Sequence, residues 1–423
     1  FFSSRRRHTR YPLETGVQTC ALPILSVMRH LDLSRAELTH SVRTHWRDAL
    51  SAWLDKILTQ PHIYRWALSN PVTRWFTQYR TRQVFNLMAG FVHTQVLLGC
   101  VRLRILEHVM ASPKTLTELS VLTQVHAAGL QRLVQSAVTL RLLEHRGQYR
   151  FGLGPLGAPI VSHPGIQAMI EHNQLLYQDM VDPVAILQES WSGEMSQYWP
   201  YAQEKPLTNA PDVASDHNAQ AYARYSELMA ASQTFVIEEI LSFYPFDDCE
   251  KVLDIGGGQG RFATELAKNY PHLRITLFDL PDVCTVSSRI VARNAMADRI
   301  RVIPGDFTKD ALPTGADLVT LIRIAHDHCD EVVLALLKSI YASLPAGGSL
   351  LIAEPMANEP GEKPEGDAYF HFYLLAMGSG RLRTPMELMQ LMHQAGFSHL
   401  EQIPNAMPVH AKMLLGRKSK YLP

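Results

Sequence analysis

The chain has 423 residues, with 40 basic and 40 acidic side chains and a formal net charge of zero. Hydrophobic residues make up 46% and charged residues 19%, which excludes global disorder and leaves no basic surplus of the kind a nucleic-acid partner requires. Five scattered cysteines (Cys20, Cys100, Cys249, Cys284, Cys329) lack CxxC or other ligand spacing, so reduced thiols of a cytoplasmic protein are expected rather than a disulfide framework or a metal site.

Residues 1–24 show no helical or strand period and resemble a translated sequencing-adapter read, an addition to the protein proper; a genuine disordered tail is the alternative. Residues 25–100 form a helical segment in which Pro61 and Pro71 start new helices. Trp46, Trp53, Trp66 and Trp75 alternate there with Arg43, Arg47, Arg65, Arg74, Arg80 and Arg82. The plainer reading is aromatic packing against a partner subunit or the rest of the chain. The other is a helix at a membrane surface with snorkelling arginines. No run approaches eighteen continuous apolar residues, so no membrane-crossing helix is expected. Residues 86–109 are apolar enough to predict one helix buried in the core or in a dimer interface.

Residues 101–160 predict a winged helix. Thr115 caps a short helix with Glu118 three residues on, a second helix covers residues 126–146, and residues 147–157 make a wing. That second helix has only Arg132 and Arg141 before Arg146, and its leucines and valines are committed to packing. A dimerisation or lid role is therefore expected instead of DNA binding. Residues 161–245 are again helical, a linker and substrate-pocket segment closed by Pro245. Over residues 246–423 strands alternate with helices, predicting a doubly wound, Rossmann-like α/β domain that binds its ligand at the carboxyl ends of the strands.

The first of these strands runs into Asp254-Ile-Gly256-Gly-Gly258-Gln-Gly260. Glycines let backbone approach a ligand closely, and the helix after Gly260 points its N-terminus there. The stretch Gly258 to Ala263 formally fits the GxGxxA dinucleotide pattern. A carboxylate at Asp254 would repel a pyrophosphate, whereas it suits the ammonium of S-adenosylmethionine (SAM). Asp279, followed by Leu280, ends the second strand where ribose hydroxyls would lie. Gly305-Asp306-Phe307 ends the third, placing a carboxylate and a ring for adenine. After the fourth strand His326 stands at the cleft mouth as a general base for an oxygen nucleophile, and Glu354 ends the fifth strand, where it could orient that imidazole. Arg323 could hold a cofactor carboxylate or an internal ion pair, and His328 is expected to pack beneath the cleft.

The winged helix followed by DIGGGQG, LFDLPDV, GDF, LIRIAHDHCDE and LPAGGSLLIAEPM resembles the plant-type small-molecule O-methyltransferases over nearly all of the chain after residue 80. The resemblance implies a SAM cofactor, a homodimer exchanging its N-terminal helices, His326 as base and Glu354 as its first acidic partner. The second acidic partner maps to Leu382 in GSGRLRT, a departure from the pattern. NLMAGFVHTQVLLGCVRL, DPVAILQ, the stretch from AEPMANEP to GSGRLRT, and LMHQAGF are similar to bacterial carotenoid O-methyltransferases of the hydroxyneurosporene and demethylspheroidene type. That likeness implies methylation of the C-1 hydroxyl of an acyclic carotenoid, a long apolar channel lined by Phe370, Tyr373, Met377 and Phe91, and contact with an inner or photosynthetic membrane. A phenol or quinone-like acceptor, or a non-catalytic SAM- or DNA-binding regulator, are the competing functions.

Overall fold

The structure, a computed structural model, describes residues 35–188, 193–198, 233–362, 366–407 and 411–420. The adapter-like tail and most of the predicted helix before residue 233 lie outside these. The chain divides into two compact units, Phe1–Phe91 and Val92–Pro423.

The first unit contains α1 (Arg35–Leu58), α2 (Pro61–Ser69) and the start of α3 (Pro71–Arg102). Both prolines open their helices as expected, where a missing N–H costs nothing. Asn70 makes the corner: its Oδ1 accepts the Val72 N–H at 2.9 Å, and Arg74 Nε caps α2 through the Leu68 carbonyl at 2.9 Å. The expected packing of the aromatics within the chain does not occur here, since Trp53, Trp66 and Trp75 are 57%, 56% and 74% exposed. The expectation of no membrane-length helix also needs correcting. At 32 residues, α3 is long and apolar enough to cross a bilayer by length and composition. Its glycines, threonines and glutamines hid this from a search for an unbroken apolar run.

In the second unit the end of α3 enters a small core. Cys100 and Val101 pack with Ile105, Leu106 and Val109 of α4 (Ile105–Ala111), Leu119 of α5 (Leu116–Thr123), and Leu130 and Val134 of α6 (Ala127–Thr139). Residues 86–109 are thus not one helix. Arg104, at φ 50°, takes a left-handed conformation and separates α3 from α4. The Thr115–Glu118 capping box forms as predicted. The helix predicted over 126–146 ends at Thr139: Arg141 is left-handed at φ 61°, and Leu143–Arg146 becomes β2, which buries Leu143. It pairs with β3 (Arg150–Leu153), which pairs in turn with β1 (Lys114–Thr115), giving the antiparallel sheet of a winged helix. Then follow α7 (Gly157–Ser162), α8 (Pro164–Asp179), α9 (Pro183–Ile186), α10 (Glu194–Tyr198) and α11 (233–243).

The large sheet has seven strands: β4 (Lys251–Ile255), β5 (Arg274–Asp279), β6 (Ile300–Pro304), β7 (Leu318–Ile322), β8 (Ser349–Glu354), β9 (Ser398–Ile403) and β10 (Lys412–Arg417). Their order is β6-β5-β4-β7-β8-β10-β9, parallel except at β10, which runs antiparallel to both neighbours. Alternation along β8 shows both faces covered. Leu351 and Ala353 join the core beneath α11, α12 (Arg261–Asn269) and α13 (Pro281–Arg293). Leu350 and Ile352 join the other, beneath α14 (Asp330–Ser343) and α16 (Pro385–Gln394). Each such leucine contributes roughly 1.5–3 kcal/mol by leaving water. The parallel strands carry their carboxyl ends to one edge, and β4 reverses the direction of winding between β5 and β7.

Candidate active site

The loop after β4 is built around a carboxylate. Asp254 is fully buried, and its Oδ1 accepts from Thr320 Oγ1 of β7 at 2.8 Å. Its Oδ2 accepts no hydrogen bond among the described residues. Burial, partly offset by Thr320, raises its pKa to about 7. Gly257 sits on this oxygen so closely that an added Cβ would lie 2.6 Å from it. Gly256, Gly258 and Gly260 have φ of 67°, 55° and 76°, and the space beside Gly258 is open. Asp279 Oδ2 accepts the Gly258 N–H at 2.8 Å and its Oδ1 accepts the Leu280 N–H at 2.7 Å, so the end of β5 fixes the loop. The Gly305 N–H donates to the Asp279 carbonyl, which brings the third strand end alongside. Asp306 there turns back on its own loop, accepting from Thr308 N at 2.9 Å and Lys309 Nζ at 2.8 Å. The Phe307 ring meets His328 edge-on, centroids 5.4 Å apart. His328 is held below the usual imidazole range, chiefly by burial.

These residues fit SAM. A buried carboxylate oxygen without a donor suits an ammonium, glycine backbone lines open space, and Asp279 keeps acceptor capacity for hydroxyls because each oxygen takes only one N–H. Arg323 adopts a left-handed conformation at φ 57° after β7, with its N–H on the Ala353 carbonyl at 2.9 Å.

His326 lies on a 3-10 turn, Ala325–Asp327, and is 5% exposed. Its Nε2 is 3.2 Å from Asp327 Oδ1 and its Nδ1 3.4 Å from Glu354 Oε2. The Glu354 approach is not aligned as a hydrogen bond to the ring; that oxygen accepts the backbone N–H of His326 at 3.1 Å. Burial alone would lower the imidazole pKa, but the two carboxylates outweigh it and raise it to about 9.

The carbonyls of the turn are met from a distant part of the chain. Arg383, 1% exposed, donates to the Ala325 carbonyl and the His328 carbonyl, each at 2.8 Å, and to Asp330 Oδ1 at 2.8 Å. Arg381 donates its N–H to the His326 carbonyl at 3.0 Å. Gly380 passes so near that an added Cβ would lie 2.0 Å from the same oxygen. Leu382, at the position of the missing second acid, is buried with Leu176, Met195, Tyr373, Leu374 and Met377. Phe370 packs on the edge of that cluster, so α15 (Asp367–Met377) brings Phe370, Tyr373 and Met377 together. Phe91 belongs to the first unit and is 71% exposed. Inside the cluster Tyr373 meets His172 Nε2 at 3.1 Å, and burial followed by the charge of Arg323 lowers His172 to about 4.

Sequence reasoning missed Asp327, Arg383 and Asp330. The aspartate adjoins the histidine in the chain. The arginine precedes Thr384-Pro-Met-Glu387, a capping-box pattern that forms and fixes where α16 begins.

A doubly wound sheet with this glycine loop, buried acid and histidine turn is a SAM-dependent methyltransferase domain preceded by a winged helix. The O-methyltransferase domain family matches residues 194–398. A demethylspheroidene O-methyltransferase from Rhodobacter capsulatus is 38% identical over 78% of this chain and 81% of its own length. One from Cereibacter sphaeroides is 35% identical over 80% and 87%. The solved structure of human N-acetylserotonin methyltransferase in complex with SAM superposes at a TM-score of 0.66 and 23% identity, covering 80% of this chain and 98% of that one. The chain belongs to the SAM-dependent O-methyltransferase family; it is an O-methyltransferase, and its cofactor is SAM.

Proposed function

We propose that this enzyme methylates the tertiary C-1 hydroxyl of an acyclic hydroxycarotenoid, with His326 as general base. The observation that carries the substrate class is the 38% identity to a demethylspheroidene O-methyltransferase. The buried apolar cluster around Leu382, Tyr373 and Met377 agrees with it, because its loop adjoins the histidine turn. SAM supplies an electrophilic methyl group when bound. Asp254, Asp279 and the glycine loop hold that donor, and Arg383 and Arg381 fix the backbone that carries the histidine. A tertiary alcohol is too weak an acid to ionise first, so its proton must leave as the O–C bond forms. The imidazole must therefore be neutral at that moment, and Asp327 must yield the Nε2 edge to the acceptor hydroxyl. Glu354 holds the backbone N–H of His326 and sets a negative charge beside the opposite edge of the ring.

The test is transfer of labelled methyl from SAM to a 1-hydroxy acyclic carotenoid in detergent micelles, beside a phenolic panel and with His326→Ala. Label in the carotenoid, greatly reduced in the variant, supports both parts. Label in the carotenoid that survives the substitution removes the base role. Label only in phenols overturns the substrate.

A further inference from the structure

The corner between α2 and α3 is amphipathic in reverse. Thr73 Oγ1 donates to the Ala67 carbonyl of α2 at 2.8 Å, and Tyr64 Oη meets Thr81 Oγ1 at 2.9 Å. The stripe Thr73, Thr77 and Thr81, spaced four residues apart, is therefore the inner face of α3 here. The opposite side carries Trp75, Tyr79 and Arg82, flanked by Phe76; Arg80, seven residues after Thr73, starts from the threonine side and turns its guanidinium toward the Phe76 ring. A helix in water hides such rings and shows its threonines. In this corner Thr73 and Thr77 are half-buried and Thr81 is exposed at the far end of the stripe, while Trp75, Phe76, Tyr79 and Trp66 stand out, all about half exposed or more. Trp75 stacks on Tyr79 with centroids 6.3 Å apart, and the Arg80 guanidinium lies 4.4 Å from the centre of the Phe76 ring. A contiguous aromatic surface of this kind marks an interaction site.

Charge selects the occupant. From Lys56 to Leu106 there is no aspartate or glutamate, while Lys56, Arg65, Arg74, Arg80, Arg82, Arg102 and Arg104 are all basic, in a chain whose total charge is zero. Tryptophan and tyrosine beside arginines, without a single acid, match the boundary between phosphate headgroups and acyl chains. The far end of α3 cannot lie in lipid, because Cys100 and Val101 are buried in the winged-helix core. A helix whose C-terminal end is committed in this way suits lying along a surface rather than crossing it.

We propose that the exposed face of α2 and the first turns of α3 dock in the interface of an anionic lipid surface, with Trp66, Trp75, Phe76 and Tyr79 inserted at headgroup level and Arg65, Arg80 and Arg82 on the phosphates. The test is flotation of the full-length protein with vesicles of phosphatidylcholine alone or mixed equally with phosphatidylglycerol. One variant carries Trp66→Ser and Trp75→Ser; the other carries Arg65→Gln, Arg80→Gln and Arg82→Gln. Arg74 is kept because it caps α2. Circular dichroism and SAM binding verify that both variants fold. Expected are partition onto the mixed vesicles that weakens as salt is raised, and at least a tenfold loss in each variant. Absence of binding, equal binding to neutral vesicles, or unchanged partition in both variants overturns the proposal. So does a change in oligomeric size of the tryptophan variant with its vesicle binding intact, which would assign the face to a protein contact. No acceptor enters this assay, so its outcome is separable from that of the substrate reading.

Discussion

Substituting Asp327 by asparagine should move the pH dependence of methyl transfer. With pKa about 9 against an ordinary 6.5, the His326 imidazolium is favoured by roughly 3 kcal/mol in its folded setting. At pH 7 only about 1% of such rings are neutral, so a reaction using the ring as base should speed up with pH and level off near 9. Asp327 is the nearer of the two carboxylates, at 3.2 Å against 3.4 Å for Glu354. Its removal leaves one carboxylate against the desolvation of a buried ring, and the midpoint should fall by about one to two pH units. Stability follows the same linkage. A histidine pKa raised on folding contributes fully below about 6.5, and the contribution is lost as pH rises through 9, so the wild type should lose thermal stability over that window and Asp327→Asn should lose less. Initial rates at saturating SAM from pH 6 to 10 for both proteins decide the matter. A plateau height may change because geometry changes too, but an unmoved midpoint would refute the assignment of His326 as the titrating base.

Further outcomes follow from the same contacts. Arg383→Met takes the guanidinium from the Ala325 and His328 carbonyls, leaving Ala325 only the His328 N–H at 3.3 Å, and should lower unfolding free energy by about 3–5 kcal/mol in denaturant titration. Asp254→Asn should weaken SAM binding at least tenfold by calorimetry. Because burial raises the Asp254 pKa to about 7, its ionisation opposes folding increasingly from about pH 4 to 7, so the ligand-free variant should melt higher than the wild type at pH 8. Gly380→Ala drives a Cβ into the His326 carbonyl and should lower kcat far more than it weakens SAM binding, which stopped-flow and calorimetry can separate.

The strands of the large sheet, the capping box at Thr115 and the glycine loop were legible because each is a local pattern: alternation, a four-residue cap, glycines after a strand. The break at Arg104 was not, because a left-handed arginine carries no compositional mark. Leu142 and Leu143 suit helix and strand alike, and only the pairing of β2 with β3 decides for strand. Tertiary packing likewise set the antiparallel direction of β10. At the site, His326 and Glu354 were found because one follows and the other ends a strand that the sequence predicts. Asp327 was overlooked because contact with the ring of its neighbour depends on the turn being 3-10. Arg383 reaches carbonyls 58 and 55 residues earlier in the chain, a pairing invisible before the fold is known.

That long reach also sets an order of events during synthesis. The nucleotide loop at Gly256–Gly260 and its partners Asp279 and Thr320 are all made before residue 321 and can assemble as the chain emerges. The histidine turn follows at once, yet the groups that satisfy its carbonyls arrive some sixty residues later, and β10, the strand paired with β8, later still. A chain ending near residue 370 thus lacks Arg381 and Arg383 and leaves the carbonyls of its histidine turn without those donors. The histidine turn should therefore reach its final support only when translation is nearly finished.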